Sequence, residues 1–164
     1  MIKNTKQFAV LFLILFSLSS MTCERDDEWR GPSNYSASIM TRSDFENSIK
    51  MTAPQTMKKA GKIYLKDNYM FIGDANRGFH IYNNVNPENP ILIAFIEIPG
   101  VTDIAIRDEV FYANQAVDLI AFKLNIENQQ VQLLKRIPNT FPELVSPDGY
   151  LQNVGEGKIV VDWN

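Results

Sequence analysis

Few side chains in this chain of 164 residues are suited to covalent or acid–base chemistry. Cys23 is the single cysteine and His80 the single histidine. A lone cysteine excludes an internal disulfide. His80 lies mid-strand between Phe79 and Ile81, with no partner at metal-ligand spacing, so it is expected to pack on a strand face with its ring satisfied. Asp74, Asn76, Asp103 and Asp118 fall at strand ends or turns and could meet at one rim, where a hard cation would take several oxygens. Their spacing does not match an Asp-x-Asp-x-Asp-Gly loop, so neither a metal nor a cofactor is expected. Arg77 and Asn114 share that rim; with Asp74, Asn76 and Asp118 they are the candidate binding residues. No phosphate-cradling glycine loop, nucleophile elbow or paired-cysteine motif occurs. No catalytic constellation can be assembled, and a non-enzymatic protein is expected.

Composition is that of a globular chain, 45% apolar and 21% charged. The first 22 residues stand apart. Lys3 and Lys6 form a basic head, Phe8 to Phe16 is an uncharged apolar run, and Ser17, Ser19, Ser20 and Thr22 follow. This pattern, over 1–22, predicts a secretory signal, too short for a permanent membrane span. Cys23 directly after it resembles the acylated cysteine of bacterial lipoproteins, although Ser20-Met21-Thr22 departs from a box that prefers leucine first and a small residue last. The resemblance implies diacylglycerol on the Cys23 thiol, and often a further chain such as palmitate on its amine. Two or three chains hold stably, each buried methylene adding about 0.8 kcal/mol. Glu24, Arg25, Asp26, Asp27 and Glu28 resemble the acidic signal that sends some lipoproteins to the outer leaflet of the outer membrane. The expected location is therefore the cell envelope, at the outer membrane. A formal net charge of −3 gives no electrostatic reason to bind nucleic acid.

Residues 23–38 read as an acidic, flexible tether, with Gly31, Pro32 and several Ser and Asn. The folded part is expected over 39–164, opening on a short helix. Thr41 suits the N-cap, Asp44 the third helical position, and Met40 with Phe45 a hydrophobic staple. Ile49 continues the apolar face one turn on, and Pro54 ends the helix.

From Lys62 to Asn139 the chain reads as two copies of one unit, about 62–100 and 101–139, with a period of roughly 40 residues. Tyr64 to Ile72 aligns on Ala105 to Ala113, Gly78 to Tyr82 on Asp118 to Phe122, and Ile98-Pro99 on Ile137-Pro138. Strands are expected near 62–66, 69–74, 78–83 and 91–98, then near 103–107, 110–114, 117–123 and 130–137. Asp67-Asn68, Asn76-Arg77-Gly78, Asp108-Glu109, Gln115-Ala116 and Ile126 to Gln129 are the expected turns. Apolar runs such as Ile91 to Ile98 suit strands covered on both faces. This pattern lies in the range of β-propeller blades.

Gly61 to Tyr69, Ile98 to Ala105 and Val117 to Phe122 resemble LVIVD-repeat proteins, and Met40 to Ile49 is similar to the lead-in of their lipoprotein members. The resemblance covers about residues 38–140. The naming string survives only in degenerate form, as Leu119-Ile120-Ala121-Phe122-Lys123 and Phe79-His80-Ile81-Tyr82-Asn83. It implies a cell-envelope β-propeller and brings no catalytic or ligand residues.

The expected fold is thus all-β, a partial β-propeller of about two four-stranded blades plus a further strand at Gly157 to Trp163, with a short N-terminal helix. Two units cannot close a ring, since propellers start at four blades. Three explanations stand: truncation of a longer protein, completion by another copy of the chain, and a small sandwich-like derivative. Truncation is preferred because Ile159, Val161 and Trp163 have no evident partner strand; self-association comes second. The expected function is a lipid-anchored, non-catalytic binding or scaffold module whose rim loops take a protein or glycan. The alternative is the N-terminal part of a longer envelope propeller whose hydrolase or lyase site lies outside these residues.

Overall fold

The computed structural model describes residues 33–164; the signal region 1–22, Cys23 and the acidic run Glu24 to Glu28 lie outside them. Strand β1 (Ala37–Thr41) leads into helix α1 (Arg42–Glu46), then β2 (Lys50–Thr52), β3 (Ala60–Lys66), β4 (Tyr69–Asp74), β5 (Gly78–Asn83) and β6 (Ile91–Glu97). The second repeat supplies β7 (Ile104–Arg107), β8 (Val110–Gln115), β9 (Asp118–Asn125) and β10 (Gln130–Ile137), and β11 (Lys158–Trp163) closes the list of strands. The architecture is all-β, in three antiparallel sheets that do not close. The first runs β2-β6-β5-β4-β3, the second β10-β9-β8-β7, and the third pairs β1 with β11.

Local chemistry sets the hairpins. Lys66 pairs with Tyr69 and Arg107 with Val110, leaving the two-residue turns Asp67-Asn68 and Asp108-Glu109. Asp67 and Asp108 take positive φ, 51° and 52°, which aspartate tolerates better than most residues. Ile126 to Gln129 connects β9 to β10 as expected, while the remaining two turns shift by one residue. Asp74 pairs with Gly78 and Gln115 with Asp118, so the connections are Ala75 to Arg77 and Ala116-Val117. Gly78 opens β5 because a Cβ there would stand 1.8 Å from the Ile96 carbonyl oxygen.

The two repeat sheets pack face to face. Phe71, Phe79, Ile81 and Ile96 of the first meet Ile104, Phe111, Ile120 and Phe122 of the second in one buried cluster. At its centre the rings of Phe71 and Phe111 stand edge-to-face at 5.2 Å, and Phe111 stacks on Phe122 at 5.5 Å. Such aromatic pairs add about 0.5–1.5 kcal/mol beyond their buried area.

Thr41 caps α1 as expected: its hydroxyl accepts from the Asp44 backbone N–H at 3.1 Å. Met40 and Phe45 enter a second cluster with Ala116, Val117, Ile159 and Val161. The helix ends at Glu46 with Asn47 as its cap, so Ile49 does not extend it and instead packs on the main core.

Two expectations are corrected. β11 has a partner: β1 pairs with it from Ala37–Trp163 to Thr41–Lys158, which removes the physical ground for preferring truncation. The tether does not run to Ser38. The Asn34 N–H donates to Asp148 at 3.0 Å, Ser36 and Asn164 exchange backbone bonds, and β1 begins at Ala37. The backbone groups of 33–38 find acceptors on the distant 148–164 segment, which tie them down.

Replacing Phe111 by alanine removes the ring shared by both aromatic pairs. The expected loss is about 3–5 kcal/mol of unfolding free energy, read by chemical denaturation. A loss below about 1 kcal/mol would mean the two sheets do not meet at Phe111.

Candidate functional site

The Pro99–Thr102 linker brings two of the residues predicted at strand ends, Asn76 and Asn114, together. The Asn76 N–H donates to the Val101 carbonyl at 2.9 Å, the Gly100 N–H to Asn76 O at 2.8 Å, and the Ala116 N–H to Gly100 O at 3.2 Å. Asn114 completes the knot: its amide nitrogen donates to Gly100 O at 3.0 Å, and its amide oxygen accepts from the Thr102 N–H at 3.0 Å. Gly100 has φ +76°, and a Cβ would lie 2.7 Å from that of Ala116. Asn76 and Asn114 therefore meet at one glycine, with their polar atoms engaged inside the protein. Asn76 also donates to Asp162 of β11 at 2.7 Å.

Asp118 is fully buried at the start of β9. Arg42 of α1 donates to both its oxygens, at 3.0 and 2.5 Å, Arg136 of β10 at 2.7 Å, and the Asn139 N–H at 3.1 Å. Gln115, also buried, accepts from Arg136 at 2.7 Å and donates to Phe45 O at 2.7 Å. Both guanidinium groups stand over the Phe45 ring, at 5.5 and 5.4 Å. The lead-in helix is thus clasped to the second repeat through a paired, hydrogen-bonded carboxylate. Burial pushes the Asp118 carboxyl up, but Arg42, Arg136 and the Asn139 N–H outweigh it and hold it below the usual carboxylate range. For Arg42, burial acts downward, and the bonds to Asp118 and Glu46 raise it.

Asp74 makes the matching pin in the first repeat. It accepts from the backbone N–H groups of Lys59 (2.7 Å) and Lys58 (3.1 Å), from Arg77, and from His80 Nε2 at 3.2 Å. Burial raises its carboxyl, while the two backbone donors, His80 and Arg77 together hold it below its ordinary value. His80 is fully buried 4.7 Å from the Phe95 ring; Asp74 fixes one ring nitrogen, and Nδ1 has no partner. The expectation of a packed histidine holds; full satisfaction of its ring does not, because Nδ1 finds no hydrogen-bond partner.

The four rim oxygens considered for a cation do not converge. Asp103 binds Lys62 and Tyr64, Asp74 binds Arg77, and Asp118 binds Arg42 and Arg136. Among the described residues no group of three His, Cys, Asp or Glu is placed to hold a metal. Of the open clefts, two are lined mainly by the repeat sheets. One, about 260 Å³, is lined by Gln55, Asn76, Arg77, Phe95, Glu97 and Pro99. The other, about 280 Å³, lies between the repeat sheets at the opposite hairpin end, over Phe71 and Phe111, with Lys66 bridging Asp67 (2.6 Å) and Glu109 (3.1 Å) at its edge.

Sequence reasoning missed Arg42, Arg136, Gln55 and Glu97. One signal was available: Arg136 precedes Ile137-Pro138 where Glu97 precedes Ile98-Pro99, a charge reversal at an equivalent rim position. Comparison with protein-family models, curated proteins and solved structures yields no match.

Asp118→Asn leaves two guanidinium groups facing a neutral amide, with an expected cost of about 3–5 kcal/mol. The wild-type contribution from Asp118 and Asp74 is complete above the unfolded carboxylate value of about 4. It is lost as pH falls through their lower folded-state values. Denaturation between pH 2 and 6 is expected to show a steep acid limb that is shallower in Asp118→Asn. Identical limbs would contradict the clasp.

Proposed function

We propose that this chain is a lipid-anchored protein of the cell envelope, a propeller-type module that binds a partner without transforming it. The observation that carries this reading is the lone Cys23 placed directly after the basic head and apolar run of 1–22. The acidic run Glu24 to Glu28 supports delivery to the outer membrane and its surface leaflet. The likeness to LVIVD-repeat lipoproteins supports the same location.

Binding is favoured over catalysis by the state of the polar residues. Asp74, His80 and Asp118 are fully buried, with both carboxylates saturated by protein donors, so substrate has no path to them in this conformation. What faces outward includes two shallow clefts with mixed walls. The one at the Lys66 hairpin end joins the partly exposed Tyr69 ring to carboxylates and a lysine, a surface suited to a sugar or a peptide segment. Two sheets of equivalent strand order, packed face on face, support the reading of the repeats as adjacent blades. No helix among the described residues is long and apolar enough to cross a membrane.

Membrane fractionation with palmitate labelling tests the anchor. The wild-type chain is expected in the membrane fraction with label incorporated, and Cys23→Ala without label. Label retained in Cys23→Ala, or absent from the wild type, would overturn the lipoprotein reading.

A further inference from the structure

Each repeat sheet turns one face into the main core; on the other face of the first sheet His80 and Phe95 are buried as well, but Ile63 and Leu65 stay exposed. The repeat alignment relates the core faces to these other faces. Phe71, Phe79 and Ile81, buried in the first sheet, stand where Tyr112, Leu119 and Ala121 stand on the outer face of the second. Conversely, Ile104, Ile106, Phe111 and Phe122, turned inward in the second sheet, correspond to Ile63, Leu65, Met70 and Tyr82 on the outer face of the first. Cross-strand pairing puts these last four on one surface: Ile63 pairs with Ile72, which pairs with His80, and Leu65 pairs with Met70, which pairs with Tyr82. The outer faces are therefore the two halves of an interface that the protein already makes once, within itself.

These faces are also unusually apolar for open surface. Ile63 is 60% and Leu65 66% exposed on the first sheet; on the second, Tyr112 is 39% and Ile137 47% exposed. Ile63 and Leu65 cluster on one strand, and such clustering, rather than single scattered positions, marks a contact surface. Lys135 occupies the place of Ile96, and its aliphatic stem can fill that place with the ammonium at the rim.

We infer that the chain associates with further copies of itself head to tail, the outer face of the second sheet of one copy packing on the outer face of the first sheet of the next. The occupant is a second copy because the internal interface is the template: Phe71 on Phe111 becomes Tyr112 on Met70. The two faces differ, so the contact is heterologous, of the kind that generates a ring when its rotation closes. Two copies supply four repeat sheets, the smallest number that propellers use. This inference rests on the propeller reading of the repeats and is independent of the lipid anchor.

Native mass spectrometry of the full-length chain, extracted from membranes in mild detergent, tests it. The mass of the released subunit reports lipid on Cys23; the mass of the intact particle reports the number of copies, so the two readings fail separately. The wild type is expected as a particle of two or more copies. Leu65→Arg and Tyr112→Arg each alter a side chain exposed in the single chain, so circular dichroism should be unchanged while each variant alone falls to one copy. An equal mixture of the two should recover a two-copy particle, because each retains the face that the other has lost. A wild type of one copy, a variant with undiminished mass, or a mixture that stays at one copy would overturn the head-to-tail ring.

Discussion

The contact on which the rest of the structure depends is Phe71 of the first repeat against Phe111 of the second. It lies at the centre of the only large buried cluster joining the repeat sheets among the described residues, and neither repeat can cover its apolar face alone. Strand order, hairpin register and the aromatic positions of both sheets serve that contact. Because the sheets are repeats of one another, Met70 and Tyr112 occupy on the other faces the positions equivalent to Phe111 and Phe71. A repeat that packs on its own kind has no intrinsic stopping point.

At the rim a different constraint operates. Strand ends leave backbone and side-chain polar groups near the interior, and an unpaired buried carboxylate would be prohibitively costly. The protein resolves this with two pins of different construction. Asp74 draws on backbone N–H groups of the 58–59 segment and a nearby arginine, whereas Asp118 recruits Arg42 from the lead-in helix and Arg136 from β10. The second pin couples α1, and with it the β1–β11 sheet, to the second repeat. Residues that look like ligand groups on a rim are thereby structural, and the surface left for recognition is the open clefts.

Much of this was legible from residue order. The hairpins at Asp67-Asn68 and Asp108-Glu109 were, because a two-residue turn with positive φ leaves few residue types to choose from. The capped helix at Thr41 was, because capping is local chemistry. β1 was not: Ala37–Thr41 is a five-residue strand with mixed polarity, and its partner lies far along the chain at Lys158–Trp163. A strand defined by a remote partner carries little local signal. β2, three residues pairing with β6, escaped for the same reason. The rim positions of Asp74 and Asp118 could be read from strand ends, but not their occupancy, which depends on donors distant in sequence.

The central claim, that one interface pattern is used inside the chain and again between chains, is tested most directly by cysteine pairing. Met70→Cys and Tyr112→Cys proteins, each prepared alone and then mixed under mild oxidation, report which faces meet. The account predicts a disulfide-linked pair of chains, mapped to positions 70 and 112, in the mixture and in neither protein alone. Linkage within either protein alone at the introduced cysteine, or no linkage in the mixture, would contradict it.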